Sequence, residues 1–165
     1  MLDAHWGIEQ VVGYWWSVHG RKSYDNNDGQ LINVCHYKAA YDNAFWNGTA
    51  MFYGDGSGVG GFDAVVSLDV MGHELGHAIC QKTSNLVYQR EAGGLNEGFS
   101  DIWGACIDHY AEPTIAPLKK SPFQIGDEIM LNGRPALRDM AKPRSERQPD
   151  TYLDEAHFWK KTTIY

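Results

Sequence analysis

The sequence predicts an α+β fold in which short strands at one edge are followed by two long helices. Three observations carry this. Short alternating runs and turn residues crowd residues 29–66, an apolar helical run follows over 67–82, and a second begins near Gly94 and ends near Ala111. With 43% hydrophobic and 21% charged residues, the 165-residue chain has enough apolar material for a core and too little charge for disorder.

In chain order, Ala4 to Val18 places Trp6, Ile8, Val11, Val12, Trp15, Trp16 and Val18 near helical spacing. Asp3 is the expected N-cap and Gly20 the stop. The aromatic face of this helix is read as core packing. "SYDNNDGQ" is turn-rich, and Leu31 to Tyr37 alternates as a strand does. "AMFYGDGSGVGGF" reads as a short strand and a glycine-rich loop. That loop is a weak match to a dinucleotide-binding turn, because no strand–loop–helix unit with a downstream acid follows. The next helix runs from Ala64 or Ser67 to Lys82. The next carries Leu95, Phe99, Ile102, Trp103, Cys106 and Ile107. Residues 112–165 contain all six prolines and read as mostly irregular.

Lys plus Arg is 14 and Asp plus Glu is 21, a net charge of -7. An acidic chain without a basic run argues against nucleic acid and against anionic membranes as partners. No apolar stretch reaches the ~18 residues of a membrane span. "MLDAHWGIEQ" has neither a charged leader nor an apolar core, so no secretory signal is expected in it. Cys35, Cys80 and Cys106 form no C-x-x-C and are odd in number, so buried unpaired thiols are expected.

Within "VMGHELGHAICQ" three ionisable groups interrupt an apolar helix. Buried, each must be bonded, ligated or neutralised. His73 and His77, at i and i+4, lie on one helix face about 5–6 Å apart at their β-carbons. That spacing suits two imidazole nitrogens on one zinc ion. Glu74 is about 100° further round, beside the metal, where it can take a proton from water. A catalytic zinc site wants a third protein ligand and an open position. "GGLNEGFSDIWG" offers Glu97 as that ligand, and Asp101 one turn on to accept the remaining N–H of a ligand histidine. Gly76 inside the helix costs about 1 kcal/mol relative to alanine, and the sequence alone gives no reason for it.

His73-Glu74-x-x-His77, then nineteen residues, then Glu97-x-x-x-Asp101 resembles the thermolysin-like family of zinc metallopeptidases. "DAHWG", "SYD", "DNAFWNGTAMFYGDG", "LVYQREAG", "SDIWG" and "ALRDM" resemble it in the same order, over nearly the whole chain. The resemblance implies a zincin-type fold with His73, His77 and Glu97 as ligands of one catalytic zinc ion. It implies Glu74 as general base, Tyr88 as oxyanion donor and Asp101 as the group that orients His73. Asn43 and Ala44 resemble the edge strand that pairs with an extended peptide, and Arg138 the arginine that meets a substrate carbonyl. The implied protein is a secreted, monomeric endopeptidase acting on peptides and proteins, with a bulky apolar residue preferred after the cleaved bond.

The resemblance also divides the chain. Residues 1–66 would end an N-terminal α/β lobe with the substrate-edge strand. Residues 67–165 would hold the active-site helix, the glutamate helix and the truncated start of a C-terminal helical lobe. The family's further histidine, in a Gly-Gly-Val-His context, has no counterpart here, and His157 lacks that context. We therefore expect the central part of a larger catalytic domain, with an inactive zinc- or peptide-binding fragment as the alternative. Asp69, Asp108 and Asp127 resemble calcium ligands, but Pro122 and Gln124 stand where further carboxylates belong. Calcium wants six to eight oxygens, so we expect one weakly held ion or none.

Overall fold

A computed structural model describes residues 2–111, 121–157 and 159. Helix α1 spans Leu2–His19 and buries Ile8, Val11, Tyr14 and Trp15. Asp3 lies inside its first turn rather than capping it. Gly20 closes it as expected, with φ +61° and its N–H on the Trp16 carbonyl. The aromatic face is only partly core. Trp15 is buried against Trp103 and Tyr14, but Trp6, Trp16 and Val18 are exposed.

Three short strands follow: β1 (Asn33–Val34), β2 (Ala44–Trp46) and β3 (Met51–Tyr53). Their order is β1-β3-β2, with β1 parallel and β2 antiparallel to β3. The strand expected over Leu31 to Tyr37 shrinks to two residues, because His36 turns the backbone to φ +59°. The β2–β3 turn follows from Asn47-Gly48. Asn47 Oδ1 accepts from the N–H groups of Thr49 and Ala50, and Gly48 takes φ +100°. Strand β2 ends the sheet, so its second edge is unpaired by β structure.

Helix α2 is Leu68–Lys82 and helix α3 Arg90–Ala111. The start expected at Gly94 is four residues late, since Gly93 and Gly94 lie within α3. Most of α2 is buried, including Met71, Leu75 and Ala78. Its packing on α3 explains Gly76. A Cβ there would sit 2.9 Å from Ser100 Cα, and one at Gly72 would sit 2.9 Å from Ile107 Cδ1. On the facing helix, a Cβ at Gly104 would collide with the Asp69 carbonyl. Small residues on both sides let the two backbones approach far closer than side chains normally allow.

Among the described residues of the remainder, β4 (Gln124–Ile125) and β5 (Arg138–Asp139) form an antiparallel pair. Two 3-10 turns follow, Pro143–Glu146 and Glu155–His157. The hairpin departs from the irregular run expected there, and residues 112–120 lie outside the description. The three thiols are unpaired, but only Cys80 is buried. Cys35 is half-buried and Cys106 exposed, against the expectation of three buried thiols.

Candidate metal centre

Because α2 and α3 touch backbone to backbone, Glu97 of α3 reaches both histidines of α2. Glu97 Oε2 lies 3.2 Å from His73 Nε2, and Oε1 lies 3.7 Å from His77 Nε2. Ligand atoms of these three residues all fall within 4.8 Å of one another, the one such group among the described residues. The imidazoles stand edge to face, with centroids 4.5 Å apart.

The far nitrogens are fixed from behind. His73 Nδ1–H donates to Asp101 Oδ1 at 2.7 Å, and His77 Nδ1–H donates to Asn96 Oδ1 at 2.6 Å. Ser100 Oγ lies 3.2 Å from the same His77 nitrogen. Acceptors behind Nδ1 leave each Nε2 as the nitrogen that faces Glu97. Asp101 in turn takes both Nε–H (2.6 Å) and Nη2–H (2.7 Å) of Arg138.

Electrostatics follow from this geometry. Burial disfavours a charged His73, but the carboxylates of Asp101, Glu97 and Glu74 outweigh it and push the pKa up to about 9. Burial works to raise Asp101 too, yet its bonds to His73 and Arg138 hold it at about 2. Glu97 is likewise lowered, with burial opposed by His73, His77 and Arg138. Glu74 goes the other way. Burial raises it, and the two histidines and the Trp46 N–H only partly compensate. Its Oε2 is buried without a partner.

The residues fit a divalent cation. Two imidazole nitrogens and one carboxylate form the ligand set of catalytic zinc sites that keep one position open. The carboxylates that hold a proton between His73 and Glu97 favour a cation in the same place. Glu74 lines the same cleft, and its Oε2 is a buried acceptor without a hydrogen-bond partner.

The centre lines a cleft of about 800 Å³. It is lined by Asn43, by Ala44 and Trp46 of β2, by Val87 and Tyr88, and by Leu137 and Arg138. The Tyr88 ring meets the edge of His77 at 5.8 Å. Every residue expected at the catalytic and substrate positions therefore faces one cleft or touches a residue that does.

Two models of one family match the chain: the thermolysin metallopeptidase catalytic domain over residues 1–81, and the thermolysin metallopeptidase alpha-helical domain over residues 84–163. The chain belongs to the thermolysin family. It is 40% identical over 153 residues to a thermolysin of Alicyclobacillus acidocaldarius, covering 92% of this chain and 27% of that protein. It is 38% identical to the neutral protease NprE of Bacillus pumilus, covering 93% of this chain and 47% of that one. Among solved structures, the precursor of protealysin, a metalloproteinase from Serratia proteamaculans, superposes with a TM-score of 0.83 at 30% identity. That match covers 92% of this chain and 50% of protealysin precursor. The chain thus spans about a quarter to a half of the length of these relatives.

Calcium finds less support in the geometry. Asp69 is fully buried, and it accepts from Ser67 Oγ, the Val70 N–H and, 57 residues away, the Gly126 N–H. It ties the start of α2 to the β4 turn. Among the described residues, Asp69, Asp108 and Asp127 form no group comparable to the histidine–glutamate cluster.

The motif spacing assigns no role to Asn96 or Ser100, which the structure places behind His77. Their signal lies in helical spacing: Asn96 precedes a candidate ligand, and Ser100 is four residues on from it, on the same face.

Proposed function

We propose that this chain carries the working centre of a zinc metalloendopeptidase, with His73, His77 and Glu97 holding the ion. One observation supports this above the others: acceptors fix both Nδ1 atoms, and both Nε2 atoms converge on Glu97, in a cleft that Glu74 also lines. Zinc, when bound, supplies a Lewis acid that polarises a peptide carbonyl and makes water a nucleophile near neutral pH.

The chain's own residues do the rest. An extended peptide adds to the unpaired edge of β2 at Asn43 and Ala44. Phe62, Val65, Val70, Ile129 and Leu137 give the cleft apolar lining, which suits a bulky side chain after the cleaved bond. Arg138 gives Nε and Nη2 to Asp101, so its remaining nitrogen, Nη1, is the one to meet a substrate carbonyl. Glu74 takes a proton from the attacking water and passes it to the leaving amine. Its burial-raised pKa suits both halves of that task. Tyr88 donates its O–H to the carbonyl oxygen as charge develops there. Extracellular action on proteins is the setting we propose.

A second reading follows from the chain's share of its relatives' length: a centre that binds zinc and peptide without turnover. A terminally blocked, internally quenched peptide with leucine after the scissile bond separates the two. Cleavage abolished by a zinc chelator supports the peptidase. Stoichiometric zinc uptake with no cleavage supports the binding fragment and rules out the peptidase for this chain.

A further inference from the structure

Arg138 lines the cleft from β5, and Asp101 holds its guanidinium. Strand β5 is only two residues long, so the ladder alone does little to fix the backbone that carries Arg138. The chain just before it is held from elsewhere. Asn132 Oδ1 accepts from the Arg134 N–H at 3.0 Å, across Gly133 at φ +81°. Pro135 follows with its fixed φ, and Ala136 is fully buried.

Arg134 bridges two groups. Its Nη2–H donates to the Leu137 carbonyl at 3.2 Å and to Glu146 Oε2 at 2.7 Å, and its Nε–H donates to that same carboxylate oxygen at 3.2 Å. The Leu137 carbonyl belongs to the peptide unit whose nitrogen is that of Arg138, so the bridge ends on the Arg138 backbone. Its far end is firm. Glu146 is 8% exposed, in the 3-10 turn Pro143–Glu146. A carboxylate so buried needs a cation beside it, and Arg134 supplies one. Hydrogen bonds and one peptide link thus run unbroken from Glu146 through Arg134, Leu137 and Arg138 to Asp101 and His73. Neither Arg134 nor Glu146 lines the cleft.

We propose that Arg134, anchored on the buried Glu146 carboxylate, is a positioning residue for Arg138: by holding the Leu137 carbonyl it fixes where the Arg138 guanidinium stands in the cleft. Its consequence for turnover rests on the peptidase reading, whereas its mechanical content does not.

The test uses the ¹⁵N-labelled 165-residue chain. Arg134→Leu alone would strand the Glu146 charge, so the disrupting variant is Arg134→Leu with Glu146→Gln. Arg134→Lys is the rescue, because an ammonium has donors for both acceptors. Hydrogen exchange is read at the Arg138 Nε–H, which Asp101 accepts at 2.6 Å, with the Leu75 amide of α2 as control. In the double variant the Nε–H should exchange about three- to tenfold faster, the size of one hydrogen bond, while Leu75 keeps its rate. Arg134→Lys should hold the Nε–H within about twofold of wild type. KM for the blocked peptide should rise in the double variant by the same factor with kcat held, since Arg138 meets the substrate before and during reaction. An Nε–H at the wild-type rate in the double variant overturns the proposal, as does equal quickening at Leu75, which would mean general loosening. If the wild type does not cleave the peptide, the peptidase reading fails, and the Nε–H still decides whether Arg134 positions Arg138.

Discussion

His73, Glu74, Asn96 and Asp101 are 5–6% exposed, whereas Val87 and Tyr88 on the facing wall are 66% and 42% exposed. The first group sits on two helices in backbone contact, where His73 is held by Asp101, Asn96 by His77, and Asp101 also by Arg138. The second sits on the connection between those helices, where the Tyr88 ring packs edge to face with His77. The difference is one of preorganisation. Groups that must meet an ion within tenths of an ångström are locked from two sides, and groups that must meet varied side chains are left adjustable.

The largest break in that comparison is expected at Glu74. It is as buried as His73, yet its Oε2 has no hydrogen-bond partner. Glu74→Gln should therefore lower turnover by about 10²–10⁴-fold while zinc content, read by atomic absorption, stays at the wild-type level. Zinc lost along with activity would make Glu74 part of the binding set rather than the reactive group beside it.

The helix contact comes next. At Gly104 a Cβ would meet the Asp69 carbonyl and come within 3.5 Å of the His73 backbone nitrogen. Gly104→Ala must push α2 and α3 apart. Overpacking against backbone costs about 3 kcal/mol, which for a chain of this size lowers Tm by about 6–12 °C. Zinc affinity should weaken with it, since Glu97 moves with α3. A variant with unchanged Tm and unchanged affinity would mean that close approach of the helices does not set the site.

Asp101 sharpens the same point without moving the helices. It serves His73 and Arg138 at once. Asp101→Asn keeps the shape and removes the charge behind His73, and zinc Kd should rise about 10–100-fold, measured by competition with a chromogenic chelator. An unchanged Kd would reduce Asp101 to an anchor for Arg138.

This contrast also explains what could be read beforehand. The helices were legible because their apolar residues repeat at 3.6, and the donor set because His73, His77, Glu97 and Asp101 keep that period. The role of Gly76 was not legible, since Ser100 and Gly104 become its neighbours only when α3 packs. The alternation of Leu31 to Tyr37 overstates β1, because nothing in "VCHYK" announces that His36 and Lys38 take positive φ. Exposed Trp16 and Cys106 misled for the reverse reason: apolar spacing continues where burial does not. The Trp46 indole bond to Gln81 could be seen only once the strand and the helix were placed together.

The smallest effect is expected on the open wall. Val87 lines the cleft yet stays mostly exposed, and no described residue depends on it for a hydrogen bond by its side chain. Val87→Ser should leave zinc affinity unchanged and move Tm by no more than about 2 °C, as surface substitutions do. What it removes is apolar area that a bound peptide would cover, about 1 kcal/mol for part of a valine side chain. Such contact is the same before and during reaction, so KM should rise about fivefold with kcat held. A fall in kcat instead would mean that the wall is as rigidly coupled to the chemistry as the helix pair, because Val87 could then reach the reacting atoms only through Tyr88 and His77.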